Sequence, residues 1–138
     1  MNFRRIVSLV WTLALALFFA ACGSEGSSAD GSEGELSTDS YELQYSLEPS
    51  PAQVGENMLM LSVKDTDGEP VAALPIRVEA WMEAHGHGSE ATPEIMEMSD
   101  GHYHVENLVL QMPGVWSITI ELGPEEEAEA VSIELNVE

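Results

Sequence analysis

The chain is poorest in cysteine and in positive charge. It has one cysteine, Cys22, and four basic side chains against 25 acidic ones in 138 residues. A single cysteine excludes an internal disulfide and a zinc ribbon, and past Cys22 it excludes a thiol nucleophile, so compactness must come from apolar burial alone. Only Lys64 and Arg77 of the basic residues follow Cys22, whereas all 25 carboxylates do, which leaves that portion with a formal charge near −23. Such a surface repels phosphate backbones and excludes nucleic acid as an expected partner. It also disfavours docking on anionic lipid and concentrates cations. Solubility or a salty habitat accounts for the charge without a functional reading.

Long apolar runs are scarce as well. The one clear case, Ile6 to Phe19, follows Arg4 and Arg5, and it is short for a membrane-spanning helix but right for a signal-peptide core. It ends Phe19-Ala20-Ala21-Cys22, and small residues before a lone cysteine resemble the bacterial lipobox. Residues 1–21 therefore read as a lipoprotein signal peptide. Cys22 reads as the lipidated first residue of the mature chain, anchored to a bacterial membrane and facing the periplasm or exterior. An ordinary signal peptide cut near Ala21 is the alternative, with Cys22 left as a stray thiol. Residues 22–40 hold little but Gly, Ser, Glu, Asp and Ala, with Leu36 the one large apolar side chain. That composition predicts a disordered acidic tether with a mean reach of about 20–25 Å.

Residues 41–138 make one domain, and no stretch of it sustains a period of 3.6. Period two dominates instead. Tyr41, Leu43, Tyr45 and Leu47 alternate with polar residues, as do Leu59, Leu61 and Val63, then Ile76, Val78, Ala80 and Met82. Trp116, Ile118, Ile120 and Leu122 form another row, and Val131, Ile133, Leu135 and Val137 close the chain. Turn residues at Pro49–Pro51, Asp65–Gly68, Asp100–Gly101 and Pro113–Gly114 separate the runs. About seven short strands so spaced predict an all-β fold, an immunoglobulin-like antiparallel β-sandwich without the antibody cysteine pair. The acidic Pro124–Glu127 segment reads as a long hairpin loop or a helical turn.

What the chain does have, and unevenly, is imidazole and thioether. All four histidines (His85, His87, His102, His104) and four methionines (Met82, Met96, Met98, Met112) lie between Trp81 and Trp116. These donors suit copper, with sulfur favouring the reduced ion. His85-Gly86-His87-Gly88 is the strongest element, because two imidazoles bracketing a glycine in a loop serve neither core nor sheet. In a Greek-key sandwich the loop that carries them gathers at one end with the turn carrying Met112, and Met82 lies at the mouth of that end. Met82 and Met112 are equally well explained as core. A type I′ turn at Asp100–Gly101 would pair Ser99 with His102, Met98 with Tyr103 and Glu97 with His104. That register turns Met96 and Met98 inward as core filler and leaves Glu97, His102 and His104 outside. His102 and His104 are second-rank ligands, since a solvated strand face with a Glu97–His104 pair explains them too. Ser89 and Ser99 lie near histidines by sequence only, so no nucleophile–base pair emerges and the chain is not expected to be an enzyme.

At these residues the sequence resembles the YtkA-like domain family of bacterial envelope proteins, related to the FixH-like proteins. The resemblance is carried by Val54-Gly55-Glu56-Asn57, Asp65-Thr66-Asp67-Gly68, Met82-Glu83-Ala84-His85-Gly86-His87-Gly88, Gly101-His102-Tyr103 and Met112-Pro113-Gly114-Val115-Trp116. It spans about Leu47 to Leu122 and implies an immunoglobulin-like sandwich on a membrane-anchored or secreted protein. The association of FixH-like relatives with copper delivery to respiratory oxidases adds weight to copper handling. A Met–Gly often found before the final His-Gly of that family is His85-Gly86 here, which shifts the expected site toward imidazole. The expectation is a lipid-anchored envelope protein that binds copper for storage, transfer or sensing and serves a copper acceptor. His85, His87, Met82 and Met112 are its expected ligands, with His102 and His104 behind them. The alternative is a metal-free interaction module that presents Trp81 to another envelope protein.

Overall fold

The computed structural model describes residues 31–138. The signal peptide expected at 1–21, the lipidation expected at Cys22 and residues 22–30 of the expected tether lie outside the described residues. Nine strands form among those described. They are β1 (Glu33–Ser37), β2 (Tyr41–Glu48), β3 (Gly55–Asp65), β4 (Ile76–Met82), β5 (His87–Gly88), β6 (Glu94–Ser99), β7 (His102–Leu110), β8 (Gly114–Leu122) and β9 (Glu129–Val137). One sheet has the order β1-β2-β3-β7-β6 and the other β5-β4-β8-β9. Every named pairing is antiparallel.

The period-two rows become the two inner faces, because successive side chains of a strand point to opposite sides of its sheet. Leu43, Tyr45, Leu47, Leu59, Leu61 and Val63 come from one sheet; Trp116, Ile118, Ile120, Leu122, Ile133 and Leu135 face them from the other. All are buried. The sandwich is the expected one, with two strands more than the seven expected: β1 and the two-residue β5.

Strand β1 corrects part of the expected tether. Glu33–Ser37 pairs with β2, placing Leu36 against Leu43. Ser32 is buried, its carbonyl accepting the Leu47 amide at 2.8 Å and its hydroxyl the Ala52 amide at 3.2 Å. Gly34 lies flat on Tyr45, whose hydroxyl would stand 2.9 Å from a Cβ there. Backbone pairing and one leucine suffice to order an edge strand that composition alone assigns to disorder.

The β6–β7 hairpin brings a second correction. Asp100 and Gly101 do form its turn, but Ala73 and Asn107 are the described non-glycine residues at positive φ, so Asp100 is not in the conformation a type I′ turn requires. Gly101 alone takes positive φ, packed where a Cβ would meet the Val63 carbonyl oxygen at 2.7 Å. The mismatch is absorbed by a bulge at Met98. Ser99 still opposes His102, but Glu97 opposes Tyr103, Met96 opposes His104 and Ile95 opposes Val105. Met96 and Met98 are therefore exposed, not core, and Ile95 is the residue that packs on the core. Glu97 turns away from His104, and its carboxylate accepts the Ala73 amide at 3.1 Å.

Candidate metal centre

Strand β4 ends at Met82, and the chain then winds tightly, with the His85 and Gly86 amides both donating to the Met82 carbonyl, at 3.2 and 2.9 Å. Gly86, at φ 67, permits the reversal that returns the chain as β5. In the resulting pairing Met82 opposes His87 and Trp81 opposes Gly88. Sequence spacing thus becomes geometry: His85 and His87 sit on either side of the bend, with ring centroids 5.9 Å apart. Two imidazoles bound to one ion through bonds of about 2.0–2.1 Å put their centroids no more than roughly 6.4 Å apart, so this separation suits a shared ion.

The His87 ring is held on two sides. It meets the Trp116 ring in a T-shaped contact at 6.0 Å between centroids, and its Nδ1 lies 3.1 Å from the Gly88 carbonyl oxygen. A carbonyl only accepts, so Nδ1 carries the proton and Nε2 keeps its lone pair. This is the arrangement in which imidazoles ligate metals, the second nitrogen fixing tautomer and orientation. Gly88 O also accepts the Gln111 amide Nε2 at 3.0 Å. That bond fixes which end of the amide is oxygen, and the Gln111 Oε1 so defined is buried with no hydrogen-bond partner among the described residues. An orphaned acceptor one carbonyl away from His87 is a second reason to expect a cation or donor at this end.

The methionines are placed less equally. Met82 is buried in the core directly across from His87, and a Cβ added to Gly114 would lie 3.1 Å from its methyl carbon. Met112 is half-buried against the core, and its carbonyl accepts the Trp116 Nε1–H at 3.0 Å. His102 and His104 start β7, whereas Gln111 and Met112 follow its end, which separates the two histidine pairs by on the order of 30 Å. They form no single four-histidine site. His102 Nδ1 lies 3.1 Å from Asp100 O, and His104 is half-buried on the outer face of the five-stranded sheet. Among the described residues no three His, Cys, Asp or Glu side chains gather to hold a metal ion. Beside the two imidazoles, the donors that the described residues bring to the loop end are the Met82 and Met112 thioethers and the Gln111 amide. Gln111 and the Trp116 support escaped the sequence reading. The only signal for Gln111 was its place before Met112.

The YtkA-like family model matches residues 35–121. The chain belongs to the YtkA-like family. In this YtkA-like chain the Met82–Gly88 motif is the β4–β5 hairpin and Met112–Trp116 is the β7–β8 turn. The His87–Trp116 contact joins the two motifs in space. Among curated proteins none matches the sequence. Solved structures share the fold. A copper-bound variant of FetP from uropathogenic Escherichia coli is 16% identical with a TM-score of 0.56, over 76% of this chain and 94% of that one. A DUF4426 family protein from Pseudomonas aeruginosa is 12% identical with a TM-score of 0.55, over 74% and 94%. A copper-bound variant of P19 from Campylobacter jejuni is 13% identical with a TM-score of 0.53, over 74% and 92%. At these identities the likeness establishes the sandwich fold.

Proposed function

We propose that this YtkA-like protein is a lipid-anchored envelope protein that binds copper at its β4–β5 loop for storage, transfer or sensing. The observation that carries the reading is the His85–His87 pair at 5.9 Å, with the His87 tautomer set by Gly88. Met82 and Met112 are the thioethers nearest in the fold to this pair, and Gln111 Oε1 is the spare oxygen. Two imidazoles beside soft sulfur accommodate both oxidation states of copper and disfavour magnesium or calcium, which want oxygen ligands. Copper-bound FetP and P19 variants on the same fold support the reading. The acidic surface supplies cations to the loop and no binding specificity. Cys22 lipidation would hold the domain at a membrane, where a partner accepts or donates the ion.

No catalytic step belongs to this reading. The Ser89 hydroxyl, adjacent in sequence to the loop, is engaged with the Val109 carbonyl at 2.6 Å and with the Ala91 amide at 3.2 Å. It serves to close the loop onto β7. Copper titration of the protein against a competing chelator tests the proposal. His85→Ala with His87→Ala should abolish one tight equivalent, and unchanged stoichiometry in that variant would sink it. A metal-free interaction module remains the second reading, favoured by Trp81, which lies half-exposed over Gly88 on the outer face of the four-stranded sheet. Capture of an envelope partner that is lost on Trp81→Ala and indifferent to copper would favour that module.

A further inference from the structure

The bulge at Met98 builds something the loop does not contain. With Met96 opposite His104 and His104 opposite Met60, one row crosses three adjacent strands, β3, β7 and β6, as thioether, imidazole, thioether. The row lies on the outer face of the five-stranded sheet. Met60 and His104 are half-buried, and they line one hollow with Gln44, Ser46, Ser62 and His102. Met96 is 42% exposed. Met58, two residues before Met60, lines the adjoining hollow with Glu48, Glu56 and Glu106. The rest of this face is mostly polar, with Ser, Gln, Glu, Lys64 and His102 around Met58, so the three donors stand in register outside the core.

We propose that Met60, His104 and Met96 bind one Cu(I) ion on this face, as a site separate from the β4–β5 loop. The inference does not rest on the loop reading, since the two places stand at opposite ends of β7. The reach is adequate. With strands about 4.8 Å apart, Met60 and Met96 flank His104 at about 9.6 Å from each other. Bonds of about 2.3 Å to an ion over the middle strand ask each sulfur to lean roughly 2.5 Å inward, which three rotatable bonds allow. One imidazole and two thioethers make a soft, low-coordinate set that selects Cu(I) over zinc, magnesium or calcium. The carboxylates of Glu48, Glu94 and Glu106 near the row add a favourable field without hard ligation of their own.

The test uses the full-length protein with Cu(I) kept reduced against a chromogenic competing chelator. The His85→Ala, His87→Ala protein should retain one tight equivalent, and adding Met60→Leu and Met96→Leu should weaken it at least about tenfold. These leucines conserve volume on a surface row, so folding is preserved. In the His85→Ala, His87→Ala protein labelled at methionine methyls, Met60 and Met96 signals should shift together and saturate at one equivalent. A retained equivalent indifferent to Met60→Leu and Met96→Leu, or methyl signals that stay fixed through saturation, would overturn the sheet site. Loss of all tight Cu(I) on His85→Ala with His87→Ala would overturn it too and leave the loop reading standing. Two equivalents left intact in that loop variant would sink the loop reading alone.

Discussion

Tyr103→Phe removes one oxygen and tests how the β3–β4 connection is held. The Tyr103 hydroxyl donates to the Val71 carbonyl at 2.6 Å and accepts the Leu74 amide at 3.0 Å. Its ring is buried beneath the connection. Phe fills the same volume, so the loss is confined to two hydrogen bonds and to the backbone groups they leave behind. At about 1 kcal/mol net for each bond, and with water able to reach the half-exposed Val71 and Leu74 in part, the expected cost is about 2 kcal/mol. For a domain near one hundred residues this lowers Tm by roughly 8–16 °C. Circular-dichroism melts of the two proteins measure it, and a fall of less than about 2 °C would refute the strap.

A second arm comes from pH. Burial, first, and the negative charges of Glu97 and Asp100 raise the Tyr103 hydroxyl above its ordinary value of 10.0, against the Leu74 amide, which lowers it. The folded state therefore holds this proton more tightly than the unfolded chain. Its stabilisation is complete below 10.0 and is lost as pH rises through the raised value. The gap between wild type and Tyr103→Phe should narrow in alkali. A gap that stays constant across that range would mean the hydroxyl is not the group involved.

A protein that begins at Tyr41 lacks β1 and the Ser32 bonds to Leu47 and Ala52, and should lose about 3 kcal/mol on denaturant unfolding while its bare β2 edge promotes self-association seen by sedimentation. Asn107, at φ 56 in the bulge opposite Met58, donates through its side chain to Thr92 O at 2.9 Å. Asn107→Val forces a β-branched residue into that conformation and should destabilise by about 1–2 kcal/mol more than Asn107→Gly, as urea midpoints would reveal. Glu129 is held below its ordinary 4.5, chiefly by the Ser40 hydroxyl and then by Thr38. Its contribution is present above 4.5 and fades as pH falls through the lowered value, and Ser40→Ala should move the Glu129 carboxyl resonance titration back toward 4.5.

The sandwich was legible because period two constrains strands strongly when one face is buried. A row such as Leu59, Leu61 and Val63 can face only one way without exposing all three. The turn residues then counted the strands. Strand β1 was not legible, because its order depends on the backbone of β2 and on Ser32, a residue whose burial no local pattern announces. The loop pair was legible for the opposite reason: His85 and His87 fit neither period, and the single Gly86 between them fixed how far apart they could fall. Gln111 was invisible, since its importance lies in an oxygen buried without a partner among the described residues.

The β6–β7 hairpin shows why the remaining donors could not be placed from sequence. Asp100-Gly101 is compatible with several turns, and each sets a different register. Methionine is apolar enough for a core and soft enough for a ligand, so Met96 and Met98 score the same on either face. The residues that decide are Ile95 and Glu97. In the observed register Ile95 reaches the core beside Val105, and Glu97 reaches the exposed amide of Ala73, which a type I′ register would leave without its carboxylate. The bulge at Met98 is the extra residue that brings both about. Because side chains alternate, the one-residue slip turns Met96 outward beside His104. The burial of Ile95, with Glu97 bonded to the β3–β4 connection, goes with the register that stands the Met96 sulfur next to the His104 imidazole.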